Sequence, residues 1–292
     1  MALPEIKYPA LYVAAGNASD SSQRFYLWLI RSEYLLLMIA AVLALDLSKE
    51  PIYFASYAGV FFASLMVLLC RSLLKPEQSW YKSRALAESI KTSTWRYVMR
   101  AGPFDDADSV KVPRGNFRNT LTSILDANKH IGERMVGSSS LEHQISLEME
   151  TIRAATLSDR IAYYDKCRVR EQRAWYTLKA GANKRSFNIW LGMSILTYVV
   201  AAGLALARIS YPNWNLWPID FFIVAASATI GWIQVKKFSE LAASYTLTAH
   251  EIGIIQGRIA EIEGEIHFSE FVNEAELAFS REHTQWVARQ QQ

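Results

Sequence analysis

The chain has 292 residues, with 31 Lys and Arg residues against 28 Asp and Glu residues and a formal net charge of +3. So small an excess argues against the strong attraction to phosphate on which nucleic-acid-binding proteins depend. The mean hydropathy of +0.04 and the 20% share of charged residues would suit a soluble protein. Only the distribution of apolar residues along the chain can therefore distinguish a soluble protein from a membrane protein.

The first two apolar segments predict a transmembrane hairpin. We expect the first segment to span over about residues 30–47, although its uncharged part, residues 34–45, also has the length of a buried helix. The second segment, residues 51–70, has no charged residue, and roughly twenty helical residues cross the ~30 Å hydrocarbon core. Residues 46–50 lie between the two and predict a tight outer turn.

The residues after this hairpin predict helices outside the membrane. One amphipathic face carries Trp80, Ala87, Ile90, Thr94 and Tyr97. The Gly102-Pro103 pair is expected to end that helix. Residues 105–116 are charged, contain Gly and Pro and lack an apolar period, which predicts an exposed loop. Residues 141–180 predict more helix, with an apolar stripe formed by Leu157, Ile161, Tyr164, Trp175 and Leu178.

Two further apolar segments predict a second hairpin. Residues 186–207 contain no charge and are long enough to span. The fourth segment, over about residues 217–235, follows Tyr211, Trp214 and Trp217, an aromatic cluster typical of a membrane interface.

A C-terminal amphipathic helix is predicted from isoleucines that recur every three or four residues. They are Ile252, Ile255, Ile259, Ile262 and Ile266. The spacing is typical of a short coiled coil, and both an intersubunit coiled coil and packing within a helical bundle fit it.

Lysine and arginine lie mainly on the open side of each hairpin. At the first hairpin they are Arg31, Arg71, Lys75, Lys82 and Arg84. At the second they are Lys179, Lys184, Arg185, Lys236 and Lys237. The two turns carry only Lys49 and Arg208. The positive-inside rule therefore predicts that both termini are cytoplasmic.

These elements predict an all-α integral membrane protein, with four transmembrane helices in two hairpins and long cytosolic helices that form a bundle. The first predicted domain, residues 1–135, holds the N-terminal region, the first hairpin and the helices that follow it. The second, residues 136–292, holds a cytosolic helix, the second hairpin and the C-terminal helix. The order of elements repeats, which indicates an internal duplication.

The sequence contains none of the usual catalytic motifs. It lacks a G-x-S-x-G elbow, a GxxxxGK[ST] loop and an H-E-x-x-H pair, so we expect no enzyme activity, no metal and no cofactor. Polar residues at membrane depth are the stronger candidates for function. They are Asn188, Ser194, Thr197, Asp220, Ser227 and Thr229. Helix packing explains most of them. Asp220 fits either an interfacial carboxylate in contact with headgroup water or a ring of carboxylates at an outer pore mouth, which would favour cations.

A second candidate site consists of basic residues on the cytosolic helices. They are Lys82, Arg84, Lys91, Arg168, Arg170 and Arg173. Together they could bind a nucleotide phosphate, although inside-positive topology and contact with anionic lipid also account for basic residues near a membrane.

Two groups of residues carry a resemblance to a known family. After the first hairpin stand Trp80-Tyr81, Arg84, Ala87-Glu88, Lys91, Trp95-Arg96-Tyr97 and Ala101-Gly102-Pro103-Phe104. Before the second hairpin stand Arg168, Gln172, Trp175-Tyr176, Lys179-Ala180 and Asn183-Lys184. With the four spans, these residues resemble the tandem, four-helix form of the SLATT superfamily, membrane effector domains of bacterial conflict and antiphage systems. No motif in the resemblance is catalytic.

The resemblance implies a homo-oligomeric effector of the bacterial inner membrane that forms a pore or disrupts the bilayer. It also implies gating by a nucleotide second messenger or a nucleotide-sensing partner protein, and abortive infection as the outcome. Two other functions stay open: a non-catalytic membrane scaffold that anchors a cytosolic partner, and an ion channel or transporter.

Overall fold

The computed structural model describes residues 3–105, 111–129, 132 and 143–290, and only the backbone of residues 281–290. In these residues the chain is all-α and has no strand, which confirms the predicted fold class. The helices are α1 (Ala10–Leu43), α2 (Pro51–Leu74), α3 (Pro76–Val98), α4 (Lys111–Ala127), α5 (Leu147–Ala154), α6 (Leu157–Tyr164), α7 (Glu171–Ser210), α8 (Ile219–Lys236), α9 (Phe238–Gly257) and α10 (Glu265–Gln290). Within the described residues, four helical stretches are long and apolar enough to cross a membrane: Ala10–Leu43, Pro51–Val98, Leu157–Ser210 and Ile219–Glu261.

The described chain divides into two compact units. The apolar unit comprises Arg24–Pro76 and Lys179–Ala243. The polar unit comprises Met1–Gln23, Glu77–Leu178 and Ser244–Gln292. Each unit combines residues from both predicted sequence domains, 1–135 and 136–292, whose origin by duplication stays a prediction.

The apolar unit exposes much of its hydrophobic surface. Helix α2 has no buried residue, and the side chains of Phe61, Phe62 and Leu65 are all exposed. Apolar surface of this extent is unfavourable in water and is typical of a face that meets lipid or a partner. The exposure therefore supports the interpretation of this unit as a multi-pass membrane region.

Polar contacts join α1 and α2 at both ends as a hairpin. At the turn, the Tyr53 hydroxyl donates a hydrogen bond to the Leu43 carbonyl at 2.6 Å. At the open end, Arg71 Nε donates to Glu33 Oε1 at 3.0 Å. Each contact gives a partner to a polar side chain near the end of an apolar stretch: the Tyr53 hydroxyl at the turn, and the charges of Arg71 and Glu33 at the open end.

Helices α1 and α8 approach closely at a glycine. A Cβ atom built on Gly231 would lie 2.4 Å from the Tyr34 hydroxyl oxygen and 3.1 Å from the Tyr34 ring carbon that bears it. Small residues allow such approaches between membrane helices, where packing rather than the hydrophobic effect holds helices together. Gly231 thus sets the distance between these two helices.

The polar unit is built around the end of α3. This helix ends at Val98, before the Gly102-Pro103 pair as predicted, and the residues from Trp95 to Phe104 are largely buried. Tyr97 stacks on Phe117 of α4, with ring centroids 4.6 Å apart. Burial of a helix end leaves carbonyl groups that need partners, and the arginines described below provide them.

The prediction of an exposed loop over residues 105–116 is wrong in its second part, while residues 106–110 lie outside the described chain. Helix α4 begins at Lys111, and Pro113 is in its first turn. Proline is tolerated there because the first amide groups of a helix have no intrahelical acceptor. Phe117 and Leu121 are then buried four residues apart, a helical spacing.

The predicted continuous helix through the five isoleucines is also wrong. Helix α9 ends at Gly257, a 3-10 turn covers Arg258–Glu261, and Ile262 is extended. Ile252 is buried, whereas the side chain of Ile266 in α10 is 75% exposed. The chain therefore turns between two helices, and the predicted seam of Ile252, Ile255, Ile259, Ile262 and Ile266 is not one coiled-coil stripe.

We predict that Gly264→Ala lowers stability and that Gly257→Ala does not. Gly264 has a φ of +102°, which residues with a Cβ rarely adopt, and on either glycine a Cβ would have no atom within 4 Å. We expect the first substitution to cost about 1–3 kcal/mol and the second, at a helical φ of −58°, to be neutral or slightly stabilising. Thermal unfolding in detergent measures both, and equal effects would contradict the assigned turn.

A second pair of glycines tests the approach of α1 and α8. Gly231→Ala must displace Tyr34, and overpacking of this kind costs about 1–3 kcal/mol. Gly203→Ala is the matched control, because no atom lies within 4 Å of its Cβ position. We expect a lower melting temperature in detergent for the first variant alone. Equal melting temperatures for the two variants would show that the helices do not meet at Gly231.

Candidate functional site

A buried ion pair lies at the centre of the polar unit. Arg168 Nε donates to Glu276 Oε1 at 2.8 Å, and Arg168 Nη2 donates to Glu276 Oε2 at 2.7 Å. The Tyr164 hydroxyl also donates to Glu276 Oε1, at 3.0 Å. Both charged side chains are almost fully buried, at 3% and 0% exposure. Bidentate hydrogen bonding of this kind stabilises the charged forms of a carboxylate and a guanidinium that are removed from water.

Aromatic rings enclose this pair. The Arg168 guanidinium lies 4.9 Å from the centroid of Phe279 and 5.8 Å from that of Trp95. The Trp95 indole nitrogen donates to the Tyr8 hydroxyl at 2.9 Å. Burial raises the pKa of Tyr8 and of Tyr164, so both side chains are neutral phenols. Burial opposes the charge of Arg168, but Glu276 more than offsets it and the pKa of Arg168 is raised.

A π-helical turn brings Arg168 into this position. It covers Asp165–Arg170 between α6 and α7, with Arg168 and Val169 buried. The wider turn shifts the register of the helix, so that Tyr176 is buried while Leu178 is 74% exposed. The predicted apolar stripe from Leu157 to Leu178 is therefore wrong beyond Tyr164.

Two more buried arginines hold the end of α3. Arg153 Nη2 donates to the Phe104 carbonyl at 2.9 Å, and its Nη1 donates to the Tyr97 carbonyl. Arg160 Nη1 donates to the Met99 carbonyl at 2.9 Å, and its Nη2 pairs with Glu265. Sequence reasoning missed both, together with Glu276. Arg153 lies in α5 and Arg160 in α6, with extended residues between the two helices, so no helical spacing in the sequence links them.

A cleft of about 500 Å³ adjoins the ion pair. Gln172, which accepts a hydrogen bond from Arg168 Nη1 at 3.3 Å, lines the cleft. Its other lining residues include Tyr12, Asp20, Arg84, Glu88, Lys91, Glu171 and Trp175. Burial lowers the pKa of Lys91, and the charge of Arg168 lowers it further. The mixture of two bases, three acids and two aromatic rings suits a polar ligand that carries both negative charge and hydrogen-bond donors.

The six predicted basic residues do not form one anion site. Only Arg84 and Lys91 line the cleft. Arg168 pairs with Glu276. The remaining members are Arg170, which pairs with Asp165, Arg173, which donates to Gln256, and Lys82, which is exposed.

The residues that carried the family resemblance have mainly structural positions. Trp95, Tyr97 and Tyr176 are buried. The Gly102 amide donates to Ser269 Oγ at 3.1 Å. The others are Trp80, stacked on Tyr81; Arg84, Glu88, Lys91 and Trp175 at the cleft; and Lys179, the first residue of the second segment of the apolar unit.

The polar residues predicted at membrane depth fall into two groups. Ser194 is buried, and the hydroxyls of Thr197 and Thr229 donate to carbonyls in their own helices at 2.8 and 2.7 Å. Asn188, Asp220 and Ser227 are exposed in the single chain. The first group fits the packing alternative, and a role of either group in a pore stays a prediction.

Two family matches cover most of the chain. Residues 9–161 match the family described as SMODS and SLOG-associating 2TM effector domain 3. Residues 164–286 match the family described as SMODS and SLOG-associating 2TM effector domain 1. No curated protein and no solved structure matched the chain. The boundary between the matches lies within α6, so each match contains one hairpin of the apolar unit.

We predict that breaking the buried ion pair destabilises the protein far more than breaking a surface pair. Glu276→Gln leaves the Arg168 charge buried without its counter-ion, which costs about 3–5 kcal/mol. The matched control is Arg170→Gln, because Arg170 pairs with Asp165 but is 67% exposed, and surface pairs contribute little. Thermal unfolding in detergent compares the two. A melting temperature for Glu276→Gln at or above that of the control would refute the assignment.

Proposed function

The chain belongs to the SLATT superfamily of SMODS- and SLOG-associating two-helix membrane effector domains, and we propose that it is an oligomeric effector of a bacterial conflict system. It would act by gating rather than by covalent chemistry. In this proposal a signal repacks the polar unit, and several copies of the apolar unit then open a pore or disrupt the inner membrane. Both termini would lie in the cytoplasm, as the distribution of lysine and arginine favours.

The observation that carries the proposal is the course of α7. This helix runs without interruption from Glu171 to Ser210, so its first residues belong to the polar unit and its last to the apolar unit. Its start follows directly on the π turn that holds Arg168. A change of packing at the buried ion pair would therefore act on the same helix that forms the third span.

The cleft is the place where we expect the signal to bind. Its volume of about 500 Å³ is in the range of small-molecule sites. Arg84 and Lys91 could pair with a phosphate, and Tyr12 and Trp175 offer rings on which a base could stack. These properties support a nucleotide second messenger, and a nucleotide-sensing partner protein that docks at the same helices is the alternative.

The exposed faces of the apolar unit support an assembly of several copies. Helix α2 buries no residue within the single chain. Asp220 lies in the first turn of α8 and is exposed. A ring of these carboxylates at the mouth of a pore would attract cations.

The effector proposal predicts membrane permeabilisation on activation. Membrane potential and dye entry are followed in cells that express the chain with and without its genomic neighbours. We expect depolarisation only under the activating condition, and a loss of cation preference in Asp220→Asn. Glu50→Gln is the matched control, since Glu50 is an exposed acid at the turn of the other hairpin.

The outcomes separate the three candidate functions. No permeabilisation under any activating condition would refute the effector proposal and favour the scaffold. Steady conductance of the purified protein in liposomes without any signal would favour a constitutive channel or transporter.

A further inference from the structure

Two cations of the apolar unit converge on one tryptophan. The Arg31 guanidinium carbon lies 5.5 Å from the ring centroid of Trp232, and Lys236 Nζ lies 5.9 Å from it. Arg31 is on α1, whereas Trp232 and Lys236 are one helical turn apart at the end of α8. Two helices thus bring like charges to the same ring.

A third helix adds a second ring. Trp190 of α7 has its ring centroid 6.2 Å from that of Trp232. Like charges in proximity repel one another, and the repulsion is stronger beside apolar helices than in water. An anion that contacted both cations would relieve this repulsion.

Neither Arg31 nor Lys236 forms an ion pair with a carboxylate among the described residues. Glu33, the nearest acid to Arg31 along α1, instead pairs with Arg71 at 3.0 Å. The two tryptophans compensate Arg31 and Lys236 only in part, because a cation–π contact is weaker than a charge pair.

We propose that Arg31 and Lys236 bind the phosphate of an anionic phospholipid. Basic pockets between membrane helices have the chemistry for such head groups. Trp190 and Trp232 have the amphipathic rings that favour the interfacial level of a bilayer, where they can contact the glycerol and the first acyl carbons. Ile189, next to Trp190 in the sequence, has an apolar and exposed side chain, as a residue near lipid would. This neighbourhood favours a lipid over free phosphate as the source of the anion.

The test measures lipid binding to the purified full chain in a neutral detergent. Native mass spectrometry titrates phosphatidylglycerol, phosphatidylcholine and, in a separate arm, inorganic phosphate. The variants are Arg31→Gln with Lys236→Gln, and each substitution alone. Lys184→Gln is the matched control, because Lys184 is an exposed lysine of α7 in the same unit and outside the cluster.

We expect the wild type to bind phosphatidylglycerol more tightly than phosphatidylcholine. Each lost cation should weaken phosphatidylglycerol binding about fivefold and the double variant about 25-fold, while Lys184→Gln should bind like the wild type. If the double variant fails to fold, the single variants that melt at the wild-type temperature are compared with the wild type instead. Equal binding of both lipids, wild-type binding by the variants, or phosphate binding as tight as lipid binding would each overturn the proposal. None of these readouts depends on pore formation.

Discussion

The polar unit depends on charge that is buried and paired. Removing Arg168 and Glu276 from water costs several kcal/mol for each ion, and their attraction offsets this only when the geometry is good and the other hydrogen-bonding positions are filled. Here two hydrogen bonds join the pair, and the Tyr164 hydroxyl fills a further position on the carboxylate. The same principle applies to Arg153, which is buried against carbonyls at the end of α3. These hydrogen bonds satisfy guanidinium donors that burial removes from water, and they join the end of α3 to α5.

A core of this kind limits how a signal can change it. Exposing one member of the ion pair while the other stays buried is the costly route, so a transition of a few kcal/mol has to exchange partners or move both ions together. In the proposed gating, the cleft would be the place of such an exchange, because Gln172 contacts Arg168 and also lines the cavity with Arg84 and Lys91. A ligand phosphate placed there would add negative charge beside Lys91. Burial and the charge of Arg168 already lower the pKa of Lys91, so an anion would restore its tendency to bind a proton.

The elements that could be predicted from the sequence are those set by composition over a long window. The uncharged runs at residues 51–70 and 186–207 predict spans because length and apolar content alone decide membrane crossing. The elements that could not be predicted depend on one local event. The π turn at Asp165–Arg170 reverses the exposure expected for Leu178, and the turn near Gly264 separates isoleucines whose spacing fits a single helix. The partner of Arg168 lies 108 residues away, and no periodic pattern links two residues so distant in sequence.

The intramembrane polar residues give a physical reason to expect an assembly. The hydroxyls of Thr197 and Thr229 donate to carbonyls of their own helices, so they need no hydrogen-bond partner in another helix. Ser227 differs, because it is exposed near the middle of α8, and Asn188 is exposed near the point where α7 becomes apolar. An asparagine at the edge of a bilayer can reach the head groups, whereas a hydroxyl deep in lipid must bond to its own backbone or to a neighbouring helix. In the proposed assembly, this distinction favours contacts between copies through α8, and through α2, which buries no residue within one chain, over contacts through the start of α7.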